Sequence, residues 1–400
     1  MLKNLSKNTL TLMLVCCLAS CGSDSESDTT GESGFAWPAN TADAVAQYAE
    51  IVDASYADSH MTAGALNTSL KTLVMDPSGP NLEAAKQAWL ASREPYLQTE
   101  VYRFYDGPID HPEDGPEGLI NAWPLDENYI DYVDGMPNAG IINSDGVIDA
   151  ATLEGLNEQG GEANIATGYH AVEFLLWGQD LSDEGIGGQR PHTDYVTDGT
   201  GTAENQERRG LYLTVVGDML VDHIGSVHGH WMANGQYRAD FVASENTADS
   251  IRKILTGMIV LSGFETGGER LKAALDSGNR DDEHSCFSDN THRDMIQDVQ
   301  GIMNVWKGSY ERTNGDMVSG VGIHDVVQEV NADLAARIDT QIQRCLDLAN
   351  ALVVPFENEI VSGNADGNAR VADLIMGLND LDDLLFEVFD LFGFDRPNPE

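Results

Sequence analysis

A chain of 400 residues is long enough for one large or two medium domains with real cores. Its 66 Asp and Glu against 22 Lys and Arg leave a formal charge of −44, which argues against holding nucleic acid or anionic lipid headgroups by charge. Such a surface fits a salty habitat or simple solubility before it fits long-range attraction of cations, which salt weakens.

The first residues read as a targeting segment. Lys3 and Lys7 supply a positive end and Thr9 to Leu18 a short apolar core. Leu18-Ala19-Ser20-Cys21 has the form of a bacterial lipobox, with cleavage before Cys21 and lipid on its thiol. Residues 1–20 are thus expected to be a lipoprotein signal peptide, and 21–36, polar and small, a flexible tether. Gly22 rather than Asp after the lipidated cysteine favours the outer membrane, and no other run approaches the roughly 18 apolar residues of a membrane span. Of the remaining cysteines, Cys286 and Cys345 fit either a disulfide or two separate buried thiols.

From Thr41 to Leu73 the spacing of Val45, Tyr48, Ala49, Val52 and Tyr56 predicts a helix. Pro77, Gly79 and Pro80 break it, and Asn81 caps a second helix through Trp89 and Leu97 that carries Arg93, Glu94 and Glu100, with Pro95 as a kink. Residues 105–161 are rich in Gly, Pro, Asp and Asn, too long for an ordinary connection, so short elements or function are expected there. Asp126 lies in this stretch and could reach a site as a ligand or behind one. Asn143-Ser144-Asp145-Gly146 and Asn364-Ala365-Asp366-Gly367-Asn368 hint at calcium loops, but without the glycine at six and the glutamate at twelve they read as turns.

Gly168 to Gly178 is almost wholly apolar except for His170 and Glu173. On a helix, residues i and i+3 lie roughly 60° apart around the axis and about 4.5 Å along it, so both heads can meet one ion. A helix this apolar is buried, and a buried carboxylate costs several kcal/mol unless paired or ligating. The spacing alone leaves open a core histidine with a Glu salt-bridged to some Arg.

Residues 179–203 form a second polar loop, and a boundary between two halves, 37–204 and 205–395, is placed near 205. Arg208 to Val227 reads as helix; its Asp218, Asp222 and His223, with His228 and His230 beyond, make a rival metal cluster interrupted by Gly225 and Gly229. Ser250 to Leu275 reads as one helix with Glu269-Arg270 as an internal ion pair. The block from Asp282 to His292 reads chiefly as capping, with Asp289 or Asn290 at the start of a helix from Met295 to Tyr310. Val321–Leu352 and Ala369–Phe392 complete an all-α chain. Motifs for nucleotide binding, serine hydrolysis and thiol redox chemistry are missing.

Gly168, His170 and Glu173 match the GxHxxE signature of the imelysin-like proteins, peptidase family M75, and the match runs on through Phe174-Leu175-Leu176-Trp177-Gly178. Asn121 to Asp126, Gly263-Phe264-Glu265 and Asp282 to His292 resemble the iron-regulated protein A branch. The landmarks run from about residue 89 to 313, and the resemblance covers nearly all of the chain after the leader. It implies two helical-bundle halves packed together, export to the periplasm or cell surface, and a link to iron. It also implies that the Arg93–Glu100 segment faces the GxHxxE helix, which makes Glu100 the candidate third ligand beside His170 and Glu173, and Arg93 a charge partner.

The peptidase label meets a difficulty, because zincin-type peptidases use HExxH with the intervening Glu as base. The chain has no HExxH, so binding is the better expectation: iron or zinc, as a divalent or ferric ion or within a metal-bearing small ligand, for iron acquisition. Imidazole with carboxylates suits iron or zinc and is poor for calcium. A metallopeptidase with Glu173 or Glu100 as base is the alternative, and a structural envelope lipoprotein with a buried His–Glu salt bridge is another. The expected partners are the metal or its ligand, an envelope transport partner and the membrane through the lipid anchor only, with no nucleic acid.

Overall fold

A computed structural model describes residues 35–182 and 187–396. The leader, the lipobox with Cys21 and nearly all of the tether lie outside the described residues. Eight longer helices, numbered in chain order, carry the architecture: α1 Thr41–Met75, α2 Gly79–Leu97, α3 Gly168–Trp177, α4 Gln206–Trp231, α5 Thr247–Ile259, α6 Thr291–Lys307, α7 Ala332–Asn350 and α8 Ala365–Phe392. Among the described residues the only strands are β1 Ser309–Glu311 and β2 Met317–Ser319, paired antiparallel. The fold is all-α.

The apolar positions dictate the packing. Val45, Tyr48, Ala49, Val52 and Tyr56 of α1 are all buried, and this stripe lies against α2 and α4. α3 is buried along its whole length and packs between α2 and α4. At the other end of the chain, α7 and α8 pair, and α6 bridges from α7 to α2. From Ala36 onward the contacts form one unit. The long stretch from 105 to 161 holds three short helices, Glu117–Ile120, Glu127–Ile130 and Ala150–Leu156.

Several elements depart from the sequence expectation, each for a local reason. α5 does not run to Leu275 as an α-helix; at Val260 it widens into a π-helix, Val260–Lys272, that packs on α8. α8 comes so close at Gly263 that a Cβ there would lie 2.9 Å from the Asp382 carboxyl. The helix expected over Val321–Leu352 breaks at Asn331, whose Oδ1 accepts from Leu334 N at 3.1 Å and starts α7 afresh after a short helix, Ile323–Val330. α6 begins at Thr291 rather than Met295 and ends at Gly308, in the left-handed conformation, so Tyr310 belongs to β1. Gly225 and Gly229 do not interrupt α4. Cys286 and Cys345 are separate, buried free thiols.

Gly168 shows why the central motif opens with glycine. Its φ is +84°, and a Cβ there would sit 2.5 Å from the Ile120 carbonyl oxygen. Gly168→Ala is expected to cost at least about 2 kcal/mol of unfolding free energy, measured by urea denaturation, because neither the backbone nor the Ile120 carbonyl can yield cheaply.

Candidate functional site

α3 places His170 and Glu173 on one face, and their heads touch: His170 Nδ1 lies 2.9 Å from Glu173 Oε2. The other carboxylate oxygen, Oε1, accepts from Ser288 N at 3.0 Å and from Ser288 Oγ at 2.7 Å. Glu173 is therefore held by an imidazole and a serine, with no guanidinium among its hydrogen-bond partners in the described residues. Burial pushes Glu173 up to about 8 against the Ser288 hydrogen bonds, and burial with the nearby Arg93 charge holds His170 well below the ordinary histidine range. His170 Nε2 is buried with no hydrogen-bond partner.

A second imidazole repeats this arrangement. His284 Nδ1 lies 2.7 Å from Asp294 Oδ2, which also accepts from Ser285 Oγ at 2.5 Å. The two rings stand edge to face, their centroids 4.8 Å apart at 74°. Burial, then the Arg270 charge and the neighbouring His170, lower His284 well below its ordinary value, so both rings are neutral at pH 7. Each imidazole is thus fixed through Nδ1 by a carboxylate, the arrangement that orients metal-binding histidines in general. Trp123 stands edge-on to His284 with centroids 5.7 Å apart and donates its indole N–H to the Glu283 carbonyl at 3.1 Å.

Arg93 completes this side. It is fully buried, lies over the rings of Trp89, Tyr96 and Tyr169 at 5.0 to 5.7 Å, donates to Asn121 Oδ1 at 2.5 Å, and reaches Asp294 Oδ2 at 3.6 Å. Beside it runs a second buried network with Arg270 as its hub. Arg270 donates to Glu100 at 2.5 Å, to Glu265 at 2.9 Å and to Asp298 at 2.9 Å, and Arg103 donates to the same Glu100 oxygen at 2.8 Å. Burial alone would raise Glu100; the Arg103 and Arg270 guanidiniums overcome it and hold Glu100 at about 2. Asp298 goes the other way, pushed by burial to about 7 despite Arg270.

Of the residues expected from sequence, His170 and Glu173 meet, and Arg93 reaches the same cluster through Asp294. Glu100 sits in the adjoining network, its Oε2 shared by two guanidiniums and its Oε1 without a hydrogen bond. Asp126 is half-buried and accepts from Asn128 N at 3.3 Å, capping the short helix that follows it. The rival cluster on α4 is dispersed: Asp218 pairs with Asn67 and Lys71, while His228 pairs with Asp53 at 2.8 Å. Arg270 does not pair with Glu269 as expected; adjacent helical residues point apart, and the π winding brings up Glu265, five positions back.

His284, Ser288 and Asp294 were not anticipated in these roles, because Ser, Asp and Asn ahead of a helix also signal a cap. Asn290 does stand at the cap position, yet its side chain makes no capping hydrogen bond and donates to Asp294 Oδ1 at 3.3 Å. A usable signal was present. One cap uses one side chain, and two His, two Ser, two Asp and an Asn between 284 and 294 are more than a cap consumes.

The profile of the family described as imelysin, peptidase M75, matches residues 52–385. Iron-regulated protein A of Synechococcus elongatus is 24% identical over 322 residues, covering 78% of this chain and 76% of that protein. A crystal structure from Parabacteroides distasonis, provisionally named an iron-regulated protein A precursor, superposes with a TM-score of 0.65 at 19% identity, over 88% of this chain and 97% of its own. An imelysin-like protein from Psychrobacter arcticum superposes with a TM-score of 0.63 at 13% identity, over 90% of this chain and 98% of its own.

The Arg270 hub carries a pH signature. In the native protein Glu100 is held below its unfolded value, so its contribution is present above pH 4.5 and fades as pH falls toward about 2. Arg270→Met strands Asp298 and leaves Glu100 to Arg103 alone, and a broken buried ion pair costs about 3–5 kcal/mol. The loss should be full at pH 8 and shrink toward pH 4, where these carboxylates take protons. Urea unfolding of both proteins across that range is the check.

Proposed function

The chain belongs to the imelysin family, peptidase M75, and from that premise we propose that it is a metal-binding protein of the cell envelope that takes up iron, as an ion or within a small chelate, at His170 and His284. The observation that carries this reading is the buried, unpartnered Nε2 of His170, whose Nδ1 is committed to Glu173. When Glu173 is ionised, Nδ1–H donates to it and Nε2 is left with a bare lone pair. That is the ligating form of the ring. In a purely structural His–Glu pair this nitrogen would be expected to find a partner or be replaced by an apolar group.

The donor types suit the group. Two neutral imidazoles favour iron or zinc over harder cations, and the metal would supply Lewis acidity toward whatever completes its coordination. Among the described residues no third His, Cys, Asp or Glu ligand atom gathers with these two within 4.8 Å. That supports a partner that brings donors of its own, which is why a metal-bearing small ligand is included. Glu100, with Oε1 still without a hydrogen bond, is the further oxygen donor on that side. Hydrolysis asks for a carboxylate free to accept a proton from water; Glu173 and Asp294 are each already hydrogen-bonded to an imidazole and a serine.

Export and anchoring through Cys21, with delivery to a transport partner in the envelope, belong to the same proposal. They rest on the lipobox form of Leu18 to Cys21 and the positive leader before it. Iron enters from the name of the Synechococcus relative.

Elemental analysis and metal titration of the wild-type chain, His170→Ala and His284→Ala are the test. Stoichiometric iron or zinc is expected in the wild type and loss of at least tenfold in affinity in each variant, with circular dichroism unchanged. Metal retained equally by both variants would refute the site. The ligating tautomer requires ionised Glu173, which lies at about 8, so apparent affinity should fall about tenfold per pH unit below that and level off above it. Glu173→Gln should flatten this profile.

A further inference from the structure

Three buried carboxylates make no hydrogen bond to the paired imidazoles. Asp180 follows α3 on the turn after Gly178, Asp289 sits in the loop ahead of α6, and Glu357 opens the short helix Glu357–Ile360 ahead of α8. They come from three distant parts of the chain, yet one oxygen from each lies within 4.8 Å of the others, and all three residues are buried. Oxygens bound to one calcium at about 2.4 Å lie within about 4.8 Å of one another, so the trio is close enough to converge on a single calcium ion.

The cluster alone would be only a repulsive pocket; a second observation points to a ligand. Asp289 is 7% exposed, and its Oδ1 has no hydrogen-bond partner. Asp180 accepts from Ser182 N at 2.9 Å through Oδ1, while Oδ2 makes no hydrogen bond and meets the Arg280 guanidinium at 3.7 Å. Among the described residues, the guanidinium beside this cluster is that of Arg280, facing Asp180. Glu283, 1% exposed, adds a fourth buried carboxyl nearby. Burial, then Glu357 and Asp180, push Asp289 up to about 7, and burial, offset by the Thr291 hydroxyl and reinforced by Glu357 and Asp289, raises Glu283 well above the carboxylate range. Carboxylates left in this state either hold protons or await a cation.

We propose that Asp180, Asp289 and Glu357 form a calcium site that ties the turn after α3, the loop ahead of α6 and the segment ahead of α8 together. The all-oxygen donor set is hard and anionic, and calcium accepts irregular oxygen geometry where magnesium demands a tight octahedron. The site bears on the imidazole cluster through one residue. Asp289 directly follows Ser288, whose N–H and hydroxyl hold Glu173. A cation on Asp289 fixes the loop that positions Glu173, so it is a structural clamp and not a second copy of the imidazole site.

The test compares thermal unfolding and calcium uptake of the full-length chain in calcium and in EDTA, at about 0.15 M salt, where exposed carboxylates are screened. One calcium per chain by equilibrium dialysis and a rise of a few degrees in Tm are expected in the wild type. Asp289→Asn and Glu357→Gln should each abolish the rise while leaving the EDTA-treated Tm unchanged or higher, since one like charge is removed. His170→Ala should keep the calcium response in full, so loss of iron or zinc binding and loss of this site read out separately. No bound calcium and no change in wild-type Tm would overturn the proposal, as would a response that survives in both carboxylate variants. If either variant fails to fold, the wild-type stoichiometry decides alone.

Discussion

A helix with no exposed residue that carries an imidazole and a carboxylate sets the problem the rest of the structure has to answer. Neither head can reach water from α3, and an uncompensated charge there would cost several kcal/mol. The protein answers by keeping the His170 ring neutral, hydrogen-bonding it to Glu173, and bringing in the Ser288 amide and hydroxyl from a loop more than a hundred residues away. His284 and Asp294 solve the same problem on the facing side. The result is a polar cluster, buried on the α3 side, whose two rings are each held in place by a carboxylate.

Positive charge is supplied without being allowed to intrude. Arg93 is confined by Trp89, Tyr96 and Tyr169, whose rings lie against its guanidinium, and it reaches the cluster through Asp294. Arg270 is kept one step further off by Glu100, Glu265 and Asp298. The π winding of Val260–Lys272 has a part in this, since it directs Glu265 and Arg270 at each other. Both arginines lower the imidazoles, which favours neutral rings over imidazolium. Neutral rings are what a metal ligand requires.

Much of this was legible in the chain. Two polar residues three apart in an apolar run pointed to a buried helix with both heads on one face, while whether Glu173 meets His170 or an arginine stayed open and Arg93 was expected only as a charge partner. The helices α1, α2, α4 and α8 follow from apolar spacing. What was not legible depends on tertiary approach. His284, Ser288 and Asp294 use residue types that cap helices anywhere, and only the approach of their loop to α3 turns them inward. The switch from α to π at Val260 leaves no periodic trace over so short a run, because it is driven by close packing on α8 at glycine. Asp126 looked suited to a site and instead serves its own short helix, a use of Asp that competes at every turn.

The central claim is that two carboxylate-anchored imidazoles present their remaining nitrogens to one metal. Anomalous diffraction from crystals grown with iron or zinc tests it most directly. A single strong peak is expected about 2.0–2.2 Å from Nε2 of both His170 and His284, with Nδ1 of each ring still against Glu173 and Asp294. A peak elsewhere in the chain, or none with the rings unchanged, would contradict it and leave the pair as a buried structural contact.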